Sequence, residues 1–120
     1  MITTLIADDE LDVLALLRMV ITSGGADISV SAEAHDGLEA MEQWRLTRPS
    51  VVILDQRMPR LTGLEAAEQI LDEAPNQAIM LLSAYLNDSE IARAGVLGLS
   101  VMSKQDIMQI PAMLRRIALG

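Results

Sequence analysis

Residues Val51-Val52-Ile53-Leu54 form a wholly apolar, β-branched-rich run that turns polar at once at Asp55. Successive strand side chains point to opposite faces, so a strand with no polar side must be covered on both. A parallel sheet with helices on each face meets that condition, and in such sheets ligands gather beyond the carboxyl ends of the strands. Asp55 stands at such an end, and Pro59 and Gly63 mark a tight loop before the next helix.

The rest of the chain repeats the pattern. Strand-like and helix-like periods alternate five times without a linker, internal repeat or low-complexity segment, which predicts one α/β domain over residues 1–120. After the strand-like Thr3 to Ala7, Val13, Leu16, Leu17 and Val20 recur at helical spacing, and Gly24-Gly25 stops the helix. Ile28 to Ala34 alternates apolar with polar residues and reads as an edge strand. The second helix carries Ala40, Met41 and Trp44 on one face and ends before Pro49; the third, from about Thr62 to Glu73, carries Ala66, Ala67, Ile70 and Leu71. A fourth strand is expected over Ala78 to Leu82. Asn87 and Glu90 have the spacing of a capping box that opens a fourth, sparsely apolar helix, with Gly95 as its expected terminator. In the last helix, Ile107, Ile110, Leu114 and Ile117 form the stripe, and Pro111 must open or kink it.

Asp8 and Asp9 directly follow the first strand, so strands ending side by side would gather them with Asp55 at one edge. Like charges a few Å apart resist joint ionisation, and such a cluster raises a pKa or recruits a cation. A hard divalent ion with oxygen ligands, Mg²⁺, suits it best.

Composition removes several classes of function. A net charge of −8 argues against this chain gripping a nucleic acid backbone, and Trp44 and Tyr85 as the only aromatics leave no stacking platform for single strands. The absence of cysteine excludes disulfides, thiolate catalysis and Cys-ligated zinc. No apolar run approaches the roughly 20 residues of a membrane span, and no signal-peptide pattern opens the chain, so no membrane partner and a cytoplasmic location are expected.

The motifs together resemble the receiver domain of two-component response regulators: Asp8-Asp9 after the first strand, Asp55-x-x-Met58-Pro59-x-x-x-Gly63 after the third, Ser83-Ala84 after the fourth, and Lys104 after Leu99 to Ser103. The resemblance implies a doubly wound, flavodoxin-like sheet in the order 2-1-3-4-5. It further implies Asp55 as phosphoacceptor, taking phosphate from a histidine kinase or phosphotransfer protein. Mg²⁺ would be held by Asp8, Asp9, Asp55 and the Arg57 carbonyl, while Ser83 and Lys104 contact phosphoryl oxygens. Arg57 and Tyr85 occupy the family's variable positions beside that group. The family's usual output and dimer face is made by the fourth helix, fifth strand and fifth helix. Turnover of metabolites is not expected.

Two positions depart from the family pattern. Val101 stands where an aromatic usually takes part in switching, and Gln105 replaces the common Pro after the Lys. A pseudo-receiver that binds partners without phosphorylation is therefore the alternative reading. A phosphatase of the haloacid dehalogenase type would need D-x-D where this chain has Asp55-Gln56-Arg57, and flavin binding lacks its phosphate-cradling loop.

Overall fold

A computed structural model describes residues 1–119. Five parallel strands, β1 (Ile2–Ala7), β2 (Ile28–Ala34), β3 (Val51–Leu54), β4 (Ala78–Ser83) and β5 (Ser100–Ser103), form one sheet in the order β2-β1-β3-β4-β5. Between them run α1 (Leu11–Thr22), α2 (Gly37–Thr47), α3 (Gly63–Glu73) and α4 (Asp88–Leu97); a 3-10 turn over Lys104–Gln109 leads into α5 (Ile110–Leu119). This is the doubly wound arrangement expected from the sequence, with β2 at an edge.

The strand period explains the two cores. Leu5, Ala7, Val52, Leu54, Ile79 and Leu81 face α2, α3 and α4, where they meet Met41, Trp44, Ala67 and Ile70. Their neighbours Ile6, Val51, Ile53, Met80 and Leu82 face α1 and α5, against Leu14, Leu17, Ile21, Ile110 and Leu114. All four β3 residues are fully buried, and burying each such side chain contributes about 1.5–3 kcal/mol. The polar handle of Trp44 is satisfied inside this packing: its Nε1 donates to Gln77 Oε1 at 3.0 Å.

Two local expectations shift and one alternative is resolved. On α1 the buried positions are Leu14, Leu17, Val20 and Ile21, whereas Leu16 is exposed. Apolar residues surround that helix, so its own pattern leaves the inward face ambiguous and contact with the sheet selects it. Pro111 lies in the first turn of α5 and opens the helix, where a missing N–H costs no ladder bond. The second shift concerns α4, which runs past Gly95 and stops at Gly98, whose φ of 74° is the left-handed conformation glycine adopts without strain. The Leu99 N–H reaches back to the Ala94 carbonyl at 2.9 Å and closes the end.

Gly95 is thus an exposed interior helix residue with open space around the position a Cβ would take. Gly95→Ala is expected to stabilise the protein by about 0.5–1 kcal/mol, since alanine loses less backbone entropy on entering a helix. Urea unfolding would show a higher midpoint at unchanged slope; a lower midpoint would mean that α4 needs a flexible centre.

Candidate functional site

Register brings the acids together. Ala7 pairs with Leu54 across β1 and β3, so Asp8 and Asp55 follow adjacent strands by one residue. Backbone bonds continue the ladder there: the Asp55 N–H donates to the Ala7 carbonyl at 3.0 Å and the Asp8 N–H to the Ala34 carbonyl at 3.1 Å. Because β2 and β3 lie on opposite sides of β1, the connections diverge at this point and open a crevice.

Asp8 and Asp55 are almost wholly buried, at 1% and 3% exposure. Lys104, the first residue of the 3-10 turn after β5, reaches between them. Its Nζ lies 2.8 Å from Asp8 Oδ2, 3.5 Å from Asp55 Oδ1 and 3.9 Å from Glu10 Oε1. The acids within 3.9 Å of the lysine are therefore Asp8, Asp55 and Glu10. Burial, and then the charge of Asp8, raises the Asp55 pKa against the pull of Lys104. Burial disfavours the Lys104 ammonium too, but its contacts with Asp8 and Asp55 prevail and its pKa is raised.

The donor set fits a hard cation. Carboxylate oxygens of Asp8, Asp9 and Glu10 lie within 4.8 Å of one another, Asp8 buried and the other two open to solvent. Oxygen-only ligands with an open side suit Mg²⁺, which keeps part of its water shell. Glu10 is the addition here. Its N–H donates to Asp8 Oδ1 at 2.9 Å, holding the start of α1 beside the acidic pair.

The other expected site residues sit around this centre. Ser83 ends β4, is buried, and donates its hydroxyl to the Tyr85 carbonyl at 3.1 Å. Tyr85 is exposed. Gln105 uses the N–H that a proline would lack, donating to Ser103 Oγ at 3.2 Å. His35 is half exposed, with Nδ1 2.8 Å from Glu39 Oε1.

Gln56 and Glu90 have functional placements that the sequence reading missed. Gln56 is buried beside Asp55; its Oε1 accepts from the Leu64 N–H at 2.8 Å and its Nε2 donates to Glu90 Oε2 at 3.0 Å. Arg57 forks onto the same carboxylate, with Nη2 to Oε1 at 2.7 Å and Nη1 to Oε2. Glu90 also closes the α4 capping box by accepting from the Asn87 N–H at 2.9 Å. Held first by Arg57 and then by Asn87, its carboxyl pKa falls to about 2. The capping spacing is visible in sequence, but the pairing with Gln56 and Arg57 spans more than thirty residues.

Residues 4–114 match the family described as response regulator receiver domain. The chain belongs to that family. Among relatives of this receiver, the chemotaxis protein CheY of Listeria monocytogenes is 34% identical over 84 residues, covering 70% of this chain and 69% of that protein. The uncharacterized transcriptional regulatory protein YxjL of Bacillus subtilis is 35% identical over 96 residues. That match covers 78% of this chain, which thus spans less than half of YxjL, at 44%. The response regulator domain of Thermotoga maritima CheB superimposes with a TM-score of 0.89 at 26% identity, covering 99% of this chain and 97% of that one. The receiver is accordingly a module of two-component signalling. Among the described residues, no helix is long and apolar enough to cross a membrane.

Proposed function

We propose that this receiver is switched by phosphorylation of Asp55. One observation carries the reading: a buried carboxylate of raised pKa ends β3 beside Asp8, with the only lysine of the chain between them. A histidine kinase or phosphotransfer protein is the donor. An Asp55 carboxylate oxygen attacks phosphorus, the phosphohistidine P–N bond breaks, and its electron pair returns to the imidazole. An acyl phosphate remains on Asp55 and is later hydrolysed.

Positioning and charge neutralisation dominate such a transfer. Lys104 neutralises a phosphoryl oxygen and already offsets the acids in the resting site. Ser83 donates its hydroxyl to another, which requires it to leave the Tyr85 carbonyl. Asp8, Asp9, Asp55 and the Arg57 carbonyl would hold Mg²⁺, which when bound would supply further positive charge to the phosphoryl oxygens. Glu10 offers a further carboxylate within 4.8 Å of those of Asp8 and Asp9. The α4-β5-α5 face is the output surface and the candidate homodimer contact.

The test is intact-mass analysis after incubation with acetyl phosphate and Mg²⁺, beside Asp55→Ala and a metal-free control. One labile phosphoryl group on the wild type alone is the expected result. An unmodified wild type, including with a panel of histidine kinases, would favour the pseudo-receiver reading.

A further inference from the structure

Helix α4 is the least anchored helix of the fold, with Ala94 its only fully buried residue. Its first turn is nevertheless tied firmly to the loop after Asp55. Glu90 accepts from Gln56 and, through both oxygens, from Arg57, while still capping its own helix through Asn87. Gln56 in turn is fixed by the Leu64 N–H at the start of α3. The two residues directly following the candidate phosphoacceptor thus both end on one carboxylate of α4.

We infer that Glu90 is a resting-state anion that phosphorylated Asp55 displaces from Arg57, so that the Arg57–Glu90 pair acts as a latch on α4. The inference rests on the Asp55 reading above. The chemistry favours the exchange: a phosphoryl group carries about −1.5 to −2 charges against −1 for Glu90, and offers three strong acceptor oxygens. A guanidinium fork matches phosphate as well as carboxylate. Arg57 is two residues from Asp55 and already feels its charge, since Asp55 is among the groups that raise the Arg57 pKa.

Once Arg57 turns to the phosphoryl group, Glu90 keeps its cap bond and Gln56 but loses its only cationic partner among the described residues. The first turn of α4 is then held to the β3–α3 loop by the single Gln56 bond, without the charged fork. Such a route needs no aromatic at position 101, where this chain has a half-exposed valine. By linkage, a pair that holds the resting state must oppose the phosphorylated one by the same factor.

Glu90→Gln tests this cleanly, because glutamine preserves the capping box while removing the charge that holds Arg57. Hydrogen exchange of peptides covering residues 88–97 is followed with and without Mg²⁺ and beryllium trifluoride, a phosphoryl mimic. In the wild type the mimic is expected to speed exchange in the first turn of α4. In Glu90→Gln exchange is fast at the outset and the mimic adds little; Arg57→Met behaves alike. Glu90→Gln should also bind the mimic about 2- to 5-fold more tightly, the range for a half-exposed ion pair.

Wild-type exchange that the mimic leaves unchanged would overturn the latch, as would a Glu90→Gln variant that keeps the full wild-type response. A structural role alone would speed exchange in the variant but leave the response to the mimic on top of it. Failure of the Asp55 reading looks different: no variant gains phosphoryl mass from acetyl phosphate or binds the mimic, and the latch falls with its trigger. Failure of the latch alone leaves full mass gain with constant α4 exchange.

Discussion

Gly63→Ala is expected to destabilise the protein by about 2–3 kcal/mol and to impair phosphate incorporation together with stability. A Cβ at this position would lie 2.4 Å from the Asp55 carbonyl oxygen and 2.8 Å from Leu81 Cδ1. The first neighbour is backbone and the second is packed in the core under α3, so neither yields without moving the loop that follows β3. Gly63 itself donates to the Gln56 carbonyl at 3.2 Å, and Leu64 is held by the Gln56 side chain. The added methyl therefore acts on the segment that carries Asp55, Gln56 and Arg57. Urea unfolding gives the stability change, and intact mass after acetyl phosphate treatment gives the incorporation. Gly95→Ala is the matched control, the same substitution with the opposite expected sign because open space surrounds that site. A Gly63→Ala protein as stable as the wild type would mean that the start of α3 can retreat from Asp55.

Asp55→Asn is expected to stabilise the metal-free protein at neutral pH by about 1–2 kcal/mol, while removing the nucleophilic carboxylate. Burial and the charge of Asp8 raise the Asp55 pKa above its ordinary value of 3.8, outweighing Lys104. A carboxyl raised by folding binds its proton more tightly in the folded state. Its favourable contribution is then complete below the unfolded value and is lost as pH rises through the folded one. At neutral pH the ionised Asp55 is thus a cost, which the neutral amide avoids, and Lys104 keeps its 2.8 Å contact with Asp8. Thermal melts in EDTA at pH 7 and at pH 4 check both parts: the stabilisation at pH 7 should shrink at pH 4. A variant less stable than the wild type at pH 7 would show that the Lys104–Asp55 attraction exceeds the repulsion and desolvation.

A balance of this kind suits a switch. Under the proposed function, charge repulsion stored at the strand ends would be relieved by a cation or redistributed by a phosphoryl group, and the loop that follows Asp55 is tied to α2, α3 and α4. Arg60 pairs with Asp36 at 3.5 Å at the N-cap of α2, Gln56 reaches α3, and Arg57 reaches α4. The loop directly after Asp55 thus contacts three helix N-termini.

The alternating periods, the wholly apolar β3 run and the acids that end β1 and β3 were readable in the chain itself, because side-chain direction repeats every two residues in a strand and about every 3.6 in a helix. These local rules give parallel strands alternating with helices and set Asp8 and Asp55 at strand ends; the doubly wound order and the places of Ser83 and Lys104 followed from the resemblance to receiver domains. They do not choose among competing apolar faces, as the burial of Leu14 and the exposure of Leu16 on α1 demonstrate. Nor do they choose between two glycines as a helix terminator: Gly98 ends α4 because the Leu99 N–H closes back on Ala94, while Gly95 continues the helix. The polar partnerships were decided by tertiary structure alone. Glu10 beside Lys104, and Glu90 joined to Gln56 and Arg57, depend on which loops the sheet sets side by side. Hydrogen bonds and ion pairs need distances near 3 Å, here between groups far apart in sequence, and no periodicity along the chain records that proximity.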